Sequence, residues 1–124
     1  MKKEFEFYVY IISNHQRTSF YIGFSNDIIR RIIEHKNGLG CVFTKKYKLI
    51  DLMYFELFQY AYNAINREKE LKKWRREKKL DLIKTVNPEF KDLSLELFSS
   101  CGITKEGIEK TVEKLRGKYN QIKQ

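Results

Sequence analysis

The side chains best suited to chemistry in this sequence are two tyrosines, an arginine, a histidine and a glutamate. A histidine titrates close to neutral pH, an arginine carries a permanent cation that binds oxyanions, and a carboxylate is a ligand that Mg²⁺ accepts. Each residue alone is more often structural, since strand tyrosines commonly pack in a core and helical arginines are commonly solvated. The five candidates are Tyr10, Tyr21, Arg31, His35 and Glu68.

Glu68 stands out because it breaks a helical pattern. A helix is predicted to begin near residue 60, and Glu68 takes a position on its inward face where the period requires an apolar residue. A carboxylate there costs several kcal/mol unless it is paired or binds a metal. Two explanations remain open: a Mg²⁺ site, or a salt bridge to Lys72, Arg67 or Lys69. The predicted inward residues are Ala61, Ala64, Ile65 and Leu71.

The elements that must position these residues begin with two strands. Residues 5–12 are almost wholly β-favouring, as expected of a strand buried on both faces, and residues 20–24 have the same character. The polar residues 13–19 between them predict a turn. An antiparallel hairpin is therefore expected, with Tyr10 on its first strand and Tyr21 on its second.

A helix is predicted directly after the hairpin. Ser25, Asn26 or Asp27 can cap its first turn, and the glycines of residues 37–40 predict its end. At about 100° per residue, Arg31 and His35 lie side by side along the edge of the apolar stripe, whereas Arg30 and Glu34 point away from it. The stripe consists of Ile28, Ile29, Ile32 and Ile33.

The remainder of the chain predicts one more strand and several helices. Residues 41–48 read as a basic loop and residues 49–58 as the third strand. The helix from residue 60 is predicted to continue to Ile83 and to stop at Asn87-Pro88, because proline disfavours helical geometry in the residue before it. A short leucine-rich segment follows residue 92, and Thr104 caps a last helix. Its apolar residues are Ile108, Val112, Leu115, Tyr119 and Ile122.

The composition is that of one compact basic protein. Twenty-five Lys and Arg against sixteen Asp and Glu give a formal charge of +9, which favours a polyanionic partner such as nucleic acid but also suits a solvated surface. The two cysteines, Cys41 and Cys101, form no zinc pattern and are expected to be reduced thiols. No apolar run approaches the roughly 20 residues of a membrane span. We expect a cytoplasmic protein.

Several motifs in order resemble the GIY-YIG endonuclease superfamily. They are Tyr8-Val9-Tyr10, Tyr21-Ile22-Gly23, Arg31 with His35, Ala64-x-x-Arg67-Glu68 and Asn87-Pro88. Residues 43–47 (FTKKY), 67–76 (REKELKKWRR) and 87–93 (NPEFKDL) further resemble the small stand-alone bacterial GIY-YIG proteins. The resemblance covers residues 5–93. Its one departure is Tyr8-Val9 in place of Gly-Ile, and Tyr10 keeps the motif's hydroxyl.

The resemblance implies an α/β (α+β) fold with a three-stranded antiparallel sheet flanked by helices. It implies a nuclease-like domain at residues 1–93 and a C-terminal helical extension at 94–124, which packs on the domain, on a partner protein or in a dimer. It also implies hydrolysis with one Mg²⁺ or Mn²⁺ held by Glu68, with Arg31 on the scissile phosphate. Tyr10, Tyr21 and His35 then position or deprotonate the attacking water, and the general base stays open among them.

The expected substrate is DNA, branched, damaged or otherwise structured, as in repair or recombination. The rival hypothesis is a catalytically weak nucleic-acid-binding module that acts with a partner protein. The presence of all five candidates together favours the enzyme, since a binding-only descendant is expected to have lost some. Substrate contacts are predicted from the basic side chains and one asparagine, although a solvated charged face explains the basic ones equally well. These residues are Lys45, Lys46, Lys48, Arg75, Arg76 and Asn87.

Overall fold

The computed structural model describes residues 6–123, with side chains described up to Lys118. It contains three strands and six helices in this part of the chain. Phe5, the first residue of the predicted first strand, lies outside the described residues. The strands are β1 (Phe7–Ser13), β2 (Phe20–Ser25) and β3 (Asp51–Phe58). The helices are α1 (Ile28–Lys36), α2 (Val42–Lys46), α3 (Ala61–Lys73), α4 (Arg76–Lys84), α5 (Ser94–Ser100) and α6 (Lys105–Lys123).

The sheet is antiparallel, with β1 in the centre of the order β2-β1-β3. Residues Val9 to Ile12 of β1 are all at most 2% exposed, which is why this strand lacks polar alternation. Tyr10 pairs with Gly23 of β2, and a register shift with β3 lies between Ile11 and Ile12. The predicted three-stranded antiparallel sheet with helices around it is confirmed.

Each face of the sheet has its own core. One face carries Tyr10 and Ile12 and packs against the isoleucines of α1 and against Leu97 and Phe98 of α5. The other face carries Val9, Ile11 and Met53, which pack against α3 and α4. The last helix joins the first core through Ile108, Val112 and Leu115. The predicted positions Tyr119 and Ile122 of that helix lie outside the described side chains.

Helix α1 begins and ends as its sequence predicts. Asp27 is its N-cap and accepts a hydrogen bond from the Arg30 amide, while the Ser25 hydroxyl accepts one from the Asp27 amide. Gly38 has a φ of +69° just beyond the helix, and the Leu39 amide bonds back to the Glu34 carbonyl. These caps fix the rotation of α1 and therefore the direction of Arg31 and His35.

Three predictions about helices were wrong. Residues 41–48 are not a loop throughout, because the short helix α2 forms there and buries Thr44. The helix after β3 does not run unbroken to Ile83: Trp74 and Arg75 are extended and separate α3 from α4. Cations from both helices lie over the Trp74 ring, with Arg67 5.2 Å and Lys78 4.1 Å from the ring centroid. The break between the helices therefore lets one aromatic side chain contact both α3 and α4. Ile65, predicted to face inward, is 37% exposed because the buried stripe of α3 is narrow.

No helix among residues 6–123 combines the length and the apolar character that a membrane span requires.

Candidate active site

The side chain of Tyr10 lies across the β2 residue that is paired with it. The residue paired with it is Gly23, and a Cβ added there would overlap the Tyr10 ring and hydroxyl. Only glycine leaves this space, which gives a steric reason for the glycine of the Tyr21-Ile22-Gly23 motif. Tyr21 lies on the same face of the sheet, two residues before Gly23, and is half-buried. The hairpin thus brings both hydroxyls to one end of α1.

His35 is buried and hydrogen-bonded at both ring nitrogens. Its Nε2 lies 3.0 Å from the Tyr10 hydroxyl, and its Nδ1 lies 3.1 Å from the Thr44 hydroxyl of α2. The Tyr21 ring meets the imidazole edge-on, with 6.1 Å between the centroids. The side chain is 4% exposed, so His35 lies inside the core rather than along its border.

Arg31, one turn before His35, is only partly paired. Its Nη1 lies 3.8 Å from a Glu34 carboxylate oxygen, which is an ion pair but too long for a hydrogen bond. The Arg31 Nε and the Glu34 Oε1 are both buried, and neither has a hydrogen-bond partner among the described residues. The prediction that Glu34 points away was wrong, since its side chain is only 19% exposed and leans toward Arg31.

Glu68 lies on α3, which packs against β1 and β2. Its side chain is 19% exposed, and the nearest cation is Lys72 Nζ at 3.5 Å, so the salt bridge offered as one explanation exists. Lys72 and Tyr21 also line one shallow pocket of about 310 Å³ together with Phe43. Lys72 of α3 therefore shares a pocket with Tyr21, and the Glu68 carboxylate acts electrostatically on both tyrosines.

Burial and charge set the protonation of these groups. Burial, with a smaller contribution from the Arg31 cation, lowers the pKa of His35 to about 4, so the imidazole is neutral at pH 7. Burial raises the pKa of Tyr10 and of Tyr21, and the Glu68 carboxylate raises both further while Arg31 opposes it. At neutral pH the two hydroxyls are therefore protonated in the protein alone. Arg31 therefore acts electrostatically on Tyr10, Tyr21 and His35, and Glu68 acts on the two tyrosines.

Metal binding in this region would depend on one carboxylate. Among residues 6–123, no three His, Cys, Asp or Glu side chains come together as a ready ligand set. Such a cage would be expected for Zn²⁺, whereas Mg²⁺ commonly uses one or two carboxylates and keeps several waters. Glu68 pairs with Lys72 through one oxygen and has no hydrogen bond among the described residues, so its chemistry fits a hydrated Mg²⁺ or Mn²⁺.

The predicted substrate-binding residues divide into two groups. Lys45, Lys46, Lys48 and Arg75 are exposed and free to meet a ligand. Arg76 donates instead to the carbonyls of Thr18 and Arg17 and lies 5.1 Å from the centroid of the Phe20 ring, which fastens α4 to the hairpin turn.

Asn87 requires a correction. The prediction that it contacts substrate was wrong, because the residue is 1% exposed. Its amide group donates to the carbonyls of Met53 and Lys91 and accepts from the Lys91 amide, so it holds the segment after α4 against β3.

Sequence reasoning missed Thr44, Gly40 and Cys41 as parts of the site. A Cβ at Gly40 would collide with the His35 ring and would lie 2.8 Å from the Thr44 hydroxyl, so Gly40 lets the loop pass close to that hydrogen bond. Burial tends to raise the pKa of Cys41, but hydrogen bonds to Thr44 outweigh it and the net pKa is lowered. The available signal was the pair of glycines at residues 38 and 40. Both were explained only as the end of helix α1.

Comparison with known proteins decides the family. The model of the GIY-YIG catalytic domain matches residues 6–81, more than half of the chain. This chain belongs to the GIY-YIG family. A UPF0213 protein of Staphylococcus saprophyticus is 42% identical to it over 76 residues, which is 61% of this chain and 92% of that protein. A UPF0213 protein of Haloquadratum walsbyi is 39% identical over 75 residues, 60% of this chain and 83% of that protein.

The solution NMR structure of a UPF0213 protein from Bacillus halodurans is also similar to this GIY-YIG protein. It is 28% identical, with a TM-score of 0.47, over 72% of this chain and 94% of that chain. The predicted resemblance to small stand-alone GIY-YIG proteins is confirmed. The GIY-YIG match ends before α5 and α6, which lie outside it.

Proposed function

We propose that this protein is a divalent-metal-dependent endonuclease that hydrolyses phosphodiester bonds in DNA. The family membership supports a nuclease-like activity. The observation that carries the proposal is the Arg31 Nε, a buried guanidinium N–H without a partner in the described structure, whose cation acts on the pKa of Tyr10, Tyr21 and His35. Leaving such a donor unsatisfied costs about 1–3 kcal/mol, and a phosphate oxygen would satisfy it.

Each residue then has a role that its surroundings allow. Arg31 holds the scissile phosphate, because a planar guanidinium can donate two parallel hydrogen bonds to a phosphate. Tyr10, Tyr21 and His35 position or deprotonate the attacking water: Tyr21 is half-buried, and Tyr10 and His35 form a hydrogen-bonded pair. Neutral His35 can accept a proton, which a protonated imidazole could not do.

Glu68 is the residue proposed to hold the metal. One carboxylate together with waters and phosphate oxygens can complete the octahedral shell that Mg²⁺ requires. A bound Mg²⁺ or Mn²⁺ supplies Lewis-acid stabilisation of the charge that develops on the phosphate and on the leaving oxygen. Lys72, which now pairs with Glu68 at 3.5 Å, is 51% exposed and can swing away when the cation binds.

The proposed substrate is DNA recognised through its backbone and shape. The exposed cations of α2 and of the residues around it supply phosphate contacts that carry no base information. A domain of this size has little surface for reading sequence, so selectivity is expected from branched, nicked or otherwise deformed DNA. The cations are Lys45, Lys46, Lys48 and Arg75.

Cleavage of defined substrates tests the proposal. The purified protein is incubated with linear, nicked and branched DNA, and with matching RNA, in Mg²⁺ or Mn²⁺ and in EDTA. Wild type is expected to cleave DNA only with metal, and Glu68→Ala and Arg31→Ala are each expected to lower the rate by roughly 100-fold or more. Binding of DNA without cleavage by any of the three proteins would instead support the binding module. Equal cleavage by all three would refute the assigned roles.

A further inference from the structure

The Thr44 hydroxyl has one proton and lies within hydrogen-bond distance of two strongly hydrogen-bonding groups. Its Oγ1 lies 3.1 Å from the Cys41 carbonyl oxygen and 3.1 Å from the His35 Nδ1. A carbonyl oxygen can only accept, so the Thr44 proton points to Cys41. The contact with His35 is then a hydrogen bond only if Nδ1 donates to Thr44. The Cys41 thiol lies 3.5 Å from the same oxygen, and either atom can donate. A Thr44 proton on that sulfur is likewise directed away from His35, so Nδ1 is still the donor to Thr44.

The protonation state of the other ring nitrogen, Nε2, follows from the charge of the imidazole. His35 is 4% exposed and lies near the Arg31 cation, which together favour a neutral ring with a single N–H. If that hydrogen is on Nδ1, then Nε2 is bare and accepts the Tyr10 hydroxyl at 3.0 Å. The chain of hydrogen bonds runs in one direction, from Tyr10 to His35 to Thr44 to the Cys41 carbonyl.

We propose that Thr44 is a positioning residue that holds His35 in the Nδ1–H tautomer and so makes Tyr10 able to accept a proton. The catalytic part of this proposal rests on the proposed function. The Tyr10 hydrogen is committed to His35, which leaves the lone pairs of its oxygen free to face the attacking water. As the water gives one proton to that oxygen, the original Tyr10 proton passes to Nε2. The balance is one hydroxide, one neutral tyrosine and one imidazolium.

The opposite tautomer would disable this route. An Nε2–H would donate to the Tyr10 oxygen and turn the Tyr10 hydrogen outward, so the tyrosine would meet the water as a donor. The fold protects the required arrangement, because Gly40 passes against the contact between Nδ1 and the Thr44 hydroxyl and leaves no room for a side chain there. The groups that face His35 are Tyr10 from β1, Tyr21 from β2, Arg31 from α1, and Thr44 with Cys41 from α2 and its N-terminus.

The tautomer can be measured without any substrate. In the ¹⁵N-labelled full chain at pH 7, long-range ¹H–¹⁵N spectra distinguish a protonated ring nitrogen from a bare one. The chain has two histidines, and His15→Gln assigns the spectrum because the His15 side chain is 90% exposed. Wild type is expected to show a protonated Nδ1 and a bare Nε2 at His35. A protonated Nε2 in wild type overturns the proposal, even if the protein proves not to cleave DNA.

Two variants test the role of the hydroxyl. Thr44→Val keeps the shape but loses the acceptor, and is expected to mix the tautomers and to lower kcat for cleavage by roughly 10- to 100-fold with KM unchanged. Thr44→Ser keeps the acceptor and is expected to restore both. Wild-type tautomer and kcat in folded Thr44→Val would refute the proposal, and if that variant does not fold, the wild-type spectrum and Thr44→Ser decide it.

Discussion

Two glutamates of this protein, Glu56 on β3 and Glu68 on α3, have the same exposure and different surroundings. The side chains of Glu56 and Glu68 are each 19% exposed. Glu56 accepts hydrogen bonds from Arg67 Nε and Nη2, both at 2.9 Å, and from the Tyr54 hydroxyl at 2.6 Å. Among the described residues, Glu68 is paired with Lys72 alone, at 3.5 Å. At the same degree of burial, the Glu56 carboxylate is therefore held by hydrogen bonds within the protein, whereas the Glu68 carboxylate is available to bind a ligand.

The two arginines of these regions differ in the same way. Arg67 binds Glu56 and Glu70 and stacks on Trp74, forming with Tyr54 what we call the closed cluster. Arg31 has one long ion pair and a buried Nε without a partner among the described residues. We call Tyr10, Tyr21, Arg31, His35 and Glu68 the open cluster. A network satisfied internally stabilises a fold, whereas unsatisfied buried groups reduce stability and are typical of sites that bind ligands.

The largest expected effect on stability belongs to the closed cluster. Arg67→Ala leaves Glu56 buried without its bidentate partner and is expected to lower the free energy of unfolding by about 3 kcal/mol. Arg31→Ala removes an unsatisfied group and a weak ion pair, so its effect is expected to be below about 1 kcal/mol. Urea unfolding measures both. A larger loss from Arg31→Ala than from Arg67→Ala would contradict the distinction between the clusters.

Acid should unfold the protein partly through His35. The pKa of this imidazole is about 4 in the folded protein, against an ordinary value of 6.5. Between pH 4 and pH 6.5 the unfolded chain therefore binds a proton at His35 that the folded chain does not bind. This contribution to stability is therefore complete above about pH 6.5 and falls by up to about 3 kcal/mol as the pH drops to about 4. His35→Gln should flatten the profile of unfolding free energy against pH in this window. His15→Gln, at an exposed position, should not, and an unchanged profile in His35→Gln would disprove a neutral buried histidine.

A smaller effect is expected from the packing of Tyr10. Gly23→Ala places a methyl group inside the space of the Tyr10 ring and is expected to cost about 2 kcal/mol in thermal or urea unfolding. Gly117→Ala is the matched control, because no atom lies within 4 Å of an added Cβ in α6 and alanine favours a helix by about 0.5–1 kcal/mol. Equal stability in the two variants would mean that the ring does not lie across Gly23.

The sequence predicted the elements whose pattern is local. The apolar run of β1, a helix cap within residues 25–27 and the glycine after α1 each depend on neighbouring residues, and each was predicted correctly. The break at Trp74 was not predictable in this way, because no proline or glycine marks it and the ring meets cations from two helices. The short helix α2 was hidden for a similar reason, since its one buried residue, Thr44, is held by a histidine on another element.

The sequence points to the candidate residues as a set, but their geometry does not follow from it. The out-of-pattern Glu68 was visible in the helical period, and its carboxylate contributes to the raised pKa of both tyrosines. The inward lean of Glu34 depends on Arg31, and the burial of Asn87 depends on carbonyls of β3, so neither follows from periodicity. The misplaced positions of Glu34 and Asn87 depend on side-chain contacts that a helical period does not encode.

The most direct test compares the two glutamates in one cleavage assay. Single-turnover rates on DNA with Mn²⁺ or Mg²⁺ are measured for wild type, Glu68→Gln and Glu56→Gln, each corrected for the fraction folded. We predict that Glu68→Gln loses roughly 100-fold or more while its stability changes little, and that Glu56→Gln loses stability but keeps the wild-type rate per folded molecule. A normal rate in Glu68→Gln, or an equal loss in both variants, would contradict the claim that the open cluster performs the chemistry.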